Sequence, residues 1–63
     1  MMGKVKWFNQ AKGFGFLLGD GGEEFFVHHS QIGEGVVLSP DLEVEFDVVS
    51  TDRGDQAQNV RVV

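Results

Sequence analysis

The chain has 63 residues, no cysteine, and a formal net charge of −5 from five basic and ten acidic side chains. This length predicts one domain over residues 1–63, and the lack of cysteine excludes disulfides and thiolate metal sites while fitting a reducing compartment. The acidic balance argues against a nucleic-acid binder, whose surface is normally basic. However, Lys4, Lys6 and Lys12 all lie in the first twelve residues, so a locally positive face is compatible with the composition.

The beginning of the chain carries no long apolar run. The opening residues, "MMGKVKWF", alternate charged and apolar side chains, which is typical neither of a signal peptide nor of a membrane span. We therefore expect a complete, cytoplasmic protein.

The first predicted strand covers residues 3–9, "GKVKWFN". Throughout the chain the apolar residues recur at a spacing of two rather than 3.6, which predicts strands and no helix. Strict alternation places Lys4, Lys6 and Phe8 on one face of this strand. It places Val5 and Trp7 on the other face.

The second and third predicted strands form a hairpin. Residues 13–18 hold Phe14 and Phe16 on one face, with Gly15 and Leu17 opposite. The "GDGG" sequence at 19–22 is a turn signal because glycine adopts the positive φ that tight turns need. The third strand, residues 24–29, has Phe25 and Val27 on one face and Phe26 and His28 on the other.

A loop over residues 30–42 separates this hairpin from the last two predicted strands. Gly33, Gly35 and Pro40 interrupt any regular element, and Ile32 and Leu42 are expected to pack back against the barrel. In strand four, residues 43–49, the predicted inward residues are Val44, Phe46 and Val48. In strand five, residues 57–63, they are Val60 and Val62.

Five short strands in an all-β chain predict a five-stranded antiparallel barrel, because closure removes exposed sheet edges. Such a barrel needs one apolar face per strand, yet the second and third strands have two. If Phe14 and Phe16 faced inward, Leu17 would face solvent, so parity places these rings, with Phe26, on the outer surface. Aromatic rings flanked by Lys6 and Lys12 suit a single-stranded nucleic acid, whose unstacked bases would lie on the rings and whose phosphates would contact the cations.

The motifs also resemble those of a known family. Four segments are similar to the corresponding segments of the bacterial cold-shock proteins. They are "GKVKWFN" at 3–9, "KGFGFL" at 12–17, "FFVHH" at 25–29 and "DRGDQAQNV" at 52–60. The resemblance implies an OB-fold barrel that binds single-stranded RNA and DNA, prefers pyrimidine-rich stretches, and acts as an RNA chaperone or regulator. From the residues themselves we expect no cofactor and no enzymatic activity.

Carried over by position, the resemblance implies a set of binding residues. Stacking residues would be Trp7, Phe14, Phe16, Phe26 and His28. Polar or charged contacts would come from Lys6, Asn9, Lys12 and Arg53, and Phe8 would be a further contact. The resemblance places the Trp7 ring at the binding face, against strict alternation, and a β-bulge would reconcile the two.

The sequence departs from the family pattern at three places. His29 stands where the family usually has phenylalanine, Val36 stands where a loop aromatic often occurs, and the 30–42 loop is about two residues shorter. One lost stacking platform costs about 1–3 kcal/mol, or roughly 5- to 150-fold in affinity. An imidazole also stacks, and histidine is the residue type whose ordinary pKa lies nearest neutral pH, so we expect weaker binding that is pH-sensitive through His29.

The same residues are less compatible with other classes of function. A protein-interaction module holding a proline-rich peptide on the aromatic face is the main alternative, although a polyproline groove needs no row of cations. The tandem histidines do not suggest metal, because adjacent strand residues point to opposite faces and no cysteine completes a ligand set. No catalytic constellation is present. We expect a monomer, with a strand-exchanged dimer as an alternative.

Overall fold

The five strands of the computed structural model follow the apolar alternation of the sequence. It describes residues 1–33 and 35–63. The strands are β1 (Met2–Asn9), β2 (Phe14–Gly19), β3 (Glu24–His28), β4 (Glu43–Thr51) and β5 (Gly54–Val62). A 3-10 helix at His29–Gln31 follows β3, so the third strand ends one residue earlier than predicted.

The strands close into a barrel in the order β1-β2-β3-β5-β4. β1 pairs antiparallel with β2 and β4, β2 pairs antiparallel with β3, and β4 pairs antiparallel with β5. The contact between β3 and β5 is parallel and joins Phe26 to Gln56. The predicted all-β barrel is therefore confirmed, and its sheet is mixed rather than antiparallel throughout.

The barrel interior holds one apolar core. Phe25 and Phe46 lie at its centre, with ring centroids 5.4 Å apart. The buried residues are Val5, Leu17, Phe25, Val27, Leu38, Val44, Phe46, Ala57 and Val60. Ile32 and Leu42 pack against this core from the loop, as predicted. Leu38, also from the loop, is buried more deeply than Ile32 or Leu42, and the sequence pattern did not predict this.

A β-bulge at Lys6 reverses the alternation of β1. Val5 pairs with Leu17, but the next pair is Trp7 with Phe16, so Lys6 is an extra residue in the ladder. As a result Val5 is buried whereas Trp7 is 38% exposed. The inward placement of Trp7 by strict parity was wrong, and the bulge that reconciles it with an outer position is present.

Phe8 is the second residue whose predicted side was wrong because of this bulge. Beyond the extra residue, Phe8 pairs with the buried Gly15, and its half-buried ring packs against the core on a different side of the strand from Lys6. Gly15 lets β1 and β2 approach, since a Cβ there would lie 2.6 Å from the Phe8 Cα. The bulge therefore sets which β1 rings reach the surface.

Two valines predicted to face the core are exposed. Val48 is 39% exposed and Val62 is 46% exposed. Each pairs with a buried residue, Val48 with Ala57 and Val62 with Val44, so the predicted face was correct. Val62 belongs to the last pair of the β4–β5 ladder, and Val48 lies beyond the β1–β4 pairing, which ends at Glu45. Each valine therefore lacks a neighbouring strand on one side to cover its side chain. Among the described residues, no helix is long and apolar enough to cross a membrane.

Candidate nucleic-acid interface

Four aromatic rings lie side by side on the outer surface of β1, β2 and β3. We call Trp7, Phe14, Phe16 and Phe26 the aromatic platform. Phe14 and Phe26 are stacked, with centroids 5.9 Å apart and planes 26° apart. Phe16 meets Phe26 edge-on at 5.8 Å, and Trp7 lies 5.5 Å from Phe16. These mutual contacts hold the rings in place, so an incoming planar group meets a preformed surface.

The platform exists because the side chains of β2 and β3 alternate strictly between the core and the outer surface. Phe16 pairs with Phe26 across the ladder, while the next pair, Leu17 with Phe25, faces the core. Leu17 and Phe25 are buried, but Phe16 and Phe26 keep part of each ring in solvent. The predicted outer position of Phe14, Phe16 and Phe26 is confirmed. Partly exposed, contiguous rings of this kind mark a binding surface more often than a core.

The two histidines lie together at one end of the platform. His28 pairs with Phe14 across the ladder, and its ring centroid is 4.3 Å from that of His29. The prediction that these adjacent residues point to opposite faces was wrong, because the chain leaves β3 and enters the 3-10 helix at His29. The backbone N–H of His29 donates to the Gly13 carbonyl at 2.8 Å, which holds the pair against the β1–β2 turn.

An open cleft of about 420 Å³ lies beside the histidines. Its walls include Phe8, Lys12, His29 and Val36. Gly13 forms part of the same wall, with φ of 79°, and a Cβ at this position would lie 2.5 Å from His29 Cδ2. A glycine is therefore required where the His29 ring lies. Two of the three departures from the family pattern meet here, since Val36 and His29 face one cleft.

Asn9 has a structural partner within the chain. Its side-chain oxygen accepts the backbone N–H of Lys12 at 3.0 Å, and its carbonyl accepts the N–H of Gly13 at 2.8 Å. These bonds close the turn that brings Lys12 next to the cleft. The Asn9 side chain thus shapes the turn beneath the predicted contact residues.

A second cleft, of about 310 Å³, lies at the opposite end of the platform. Phe16, Phe26, Arg53 and Gln56 line it together with Glu24 and Asp55. Closure of the barrel between β3 and β5 brings Arg53 here from the β4–β5 turn. Sequence reasoning missed Glu24 and Gln56, because neither lies in an aromatic motif and their position depends on this closure.

The charges at the platform are mixed. Lys6 forms an ion pair with Glu24, with Nζ and Oε1 2.8 Å apart. Lys12 and Arg53 line the two clefts. The exposed acidic residues Glu43, Glu45 and Asp47 project from β4, which the strand order places across the barrel from β2 and β3. These three acidic side chains therefore lie away from the rings, whereas Glu24 and Asp55 lie beside Phe16 and Phe26.

Comparison with known proteins identifies the family. The model of the "'Cold-shock' DNA-binding domain" family matches residues 1–63. The chain is 55% identical over 60 residues to the cold shock-like protein CspD of Bacillus cereus, covering 92% of this chain and 91% of that protein. It is 53% identical over 64 residues to the cold shock-like protein CspA of Stigmatella aurantiaca, covering 97% and 94%.

A third relative agrees with these two. The cold shock protein CspD of Bacillus subtilis is 52% identical over 60 residues, covering 92% of this chain and 91% of that protein. The match extends over the strands that carry the rings and over the turn that carries Arg53. The barrel and its aromatic surface thus belong to a nucleic-acid-binding, non-enzymatic protein of the cold-shock domain family.

Proposed function

We propose that the protein binds single-stranded RNA and DNA across the aromatic platform and His28. The observation that carries this proposal is the contiguous array of partly exposed rings on an otherwise acidic barrel. Each base stacked on an aromatic side chain contributes about 1–3 kcal/mol. Rings on the outer surface of the barrel can stack only on bases that are not already stacked in a duplex, which favours single strands.

Cations at the edges of the platform complete the proposed site. Lys12 and Arg53 line the two end clefts, and Lys6 lies beside the Trp7 position on β1. Phosphate contacts by these residues would position the strand, while the rings hold the bases. Phe8 and His29 extend the surface at the Lys12 end. The Asn9 side chain contributes indirectly by closing the turn that carries Lys12.

We propose a preference for pyrimidine-rich sequences and a role as an RNA chaperone or a regulator of transcription or translation. A surface that binds bases by stacking makes few hydrogen bonds to the base edges that distinguish one base from another. Its modest sequence preference therefore follows from the stacking strength of each base and the flexibility of the strand. A domain that binds only unpaired strands shifts weak hairpins toward the open form by mass action. Transient binding of this kind suits a chaperone because bound strands are released again.

Trp7 fluorescence tests the proposal directly. Trp7 is the only tryptophan and belongs to the platform, so a stacked base should quench it. We expect quenching by an oligothymidine at low salt, weaker quenching by an oligoadenine, and little by a duplex of matched length. No quenching by any single strand would reject the proposal, and saturable binding of a proline-rich peptide instead would favour an interaction module.

A hairpin carrying a fluorophore and a quencher tests the chaperone role. We expect protein in excess to open a hairpin of marginal stability and to leave a hairpin with a long stem closed. Failure to open the marginal hairpin, despite binding of the same sequence in linear form, would remove the chaperone role and keep the binding function.

A further inference from the structure

Ser30 makes an unusual contact with the side chain of His28. The backbone N–H of Ser30 donates to His28 Nδ1 at 3.2 Å, so His28 caps the 3-10 helix with its ring. The Ser30 hydroxyl oxygen lies 2.9 Å from the same nitrogen. Two groups of one residue therefore meet a single ring nitrogen at the edge of the aromatic platform.

The backbone contact defines which ring nitrogen carries the hydrogen. A nitrogen that accepts an N–H cannot itself be protonated, so the neutral His28 ring has its hydrogen on Nε2. The Ser30 hydroxyl is placed to donate to the same Nδ1 lone pair. The Nε2–H then remains as a hydrogen-bond donor in a neutral ring.

The contacts also fix the plane of the ring. His28 packs against His29 at 4.3 Å, and Ser30 holds its Nδ1 edge. One face of His28 is therefore covered by His29. The other face and the Nε2 edge remain for a ligand, next to Phe14, its neighbour across the ladder.

We propose that Ser30 is a positioning residue that fixes the tautomer and orientation of His28 for nucleic-acid binding. The inference rests on the proposed function and extends it. In this arrangement His28 offers a neutral Nε2–H donor to a base carbonyl or ring nitrogen, in addition to its stacking face. This contact gives a hydrogen bond that salt screens little, since the donor carries no charge.

A double-mutant cycle tests the proposal, with oligothymidine affinity measured at about pH 8, above the ordinary pKa of an imidazole. Ser30→Ala should weaken binding roughly two- to tenfold, which is the usual range for one hydrogen bond. Ser30→Thr keeps the hydroxyl and should restore affinity. In a His28→Ala background, Ser30→Ala should have no further effect, because nothing remains to position. Ser39→Ala, at an exposed loop serine, is the matched control.

Nitrogen-15 NMR of the free protein supplies the second readout. We expect His28 in the Nε2–H tautomer in the parent chain. Ser30→Ala keeps the backbone N–H at position 30 but loses the hydroxyl donor, so we expect a smaller share of that tautomer in this variant. An additive double mutant, or an Nδ1–H tautomer in the parent chain, would overturn the proposal. Should the parent chain fail to bind oligothymidine, the proposed function fails, but the tautomer measurement still tests the contact between Ser30 and His28.

Discussion

Phe25 and Phe26 are neighbours of the same residue type on opposite faces of β3, and alanine at each position should have opposite consequences. Phe25 is 3% exposed and packs against Phe46 in the core. Phe26 lies in the aromatic platform between Phe14 and Phe16. Phe25→Ala is expected to damage the fold, whereas Phe26→Ala is expected to damage binding.

The expected magnitudes separate the two variants clearly. Removing a buried phenylalanine costs about 3–5 kcal/mol, which approaches the total stability of about 3–9 kcal/mol for a domain of this length. Phe25→Ala should therefore lower Tm by roughly 10–40 °C or unfold the chain. Phe26→Ala loses ring contacts worth about 1 kcal/mol, a fall in Tm of about 4–8 °C. It should weaken oligothymidine binding by roughly 5- to 150-fold.

Two assays measure these effects. Thermal unfolding followed by circular dichroism gives Tm, and a Trp7 fluorescence titration gives affinity at a temperature where each variant is folded. The reasoning is refuted if Phe26→Ala binds as tightly as the parent chain. It is equally refuted if Phe26→Ala loses as much Tm as Phe25→Ala, because the ring would then belong to the core.

Three further predictions concern the surroundings of the platform. Gly15→Ala should lower the unfolding free energy by about 1–3 kcal/mol, since its Cβ overlaps β1 backbone; an unchanged urea midpoint would contradict the close approach. Lys12→Gln should make the salt dependence of log affinity shallower by about 0.7, and an unchanged slope would exclude a phosphate contact. Affinity should be higher at about pH 5.5 than at about pH 8, since a protonated imidazole attracts phosphate, and His29→Phe should flatten this profile; an unflattened profile would exclude His29.

Much of the fold was predictable because a small barrel demands strict alternation in its central strands. The side-chain period of two assigned Phe14, Phe16 and Phe26 to the surface, and the structure confirms it. Alternation failed where the ladder is irregular. The extra residue at Lys6 moved Trp7 outward and Phe8 inward, and nothing in the residue types of "VKWF" marks the bulge apart from the family resemblance.

The exposure of side chains on β4, β5 and the long loop was harder to predict for a related reason. Burial there depends on how many neighbours the closed barrel supplies rather than on the alternation of one strand. Val48 and Val62 face the predicted side and are still exposed, whereas Leu38 is buried from within an irregular loop. The pairing of His28 with His29 likewise required knowledge of where β3 ends and the 3-10 helix begins.

Backbone amide shift mapping with a short oligothymidine tests the central claim most directly, because it locates the ligand on the surface of the folded chain. We expect the largest shift changes at the platform residues and at His28, with Glu43, Glu45 and Asp47 on β4 nearly unmoved. Shift changes concentrated on β4, with the amides of Phe14, Phe16 and Phe26 unaffected, would contradict an interface built on the aromatic platform.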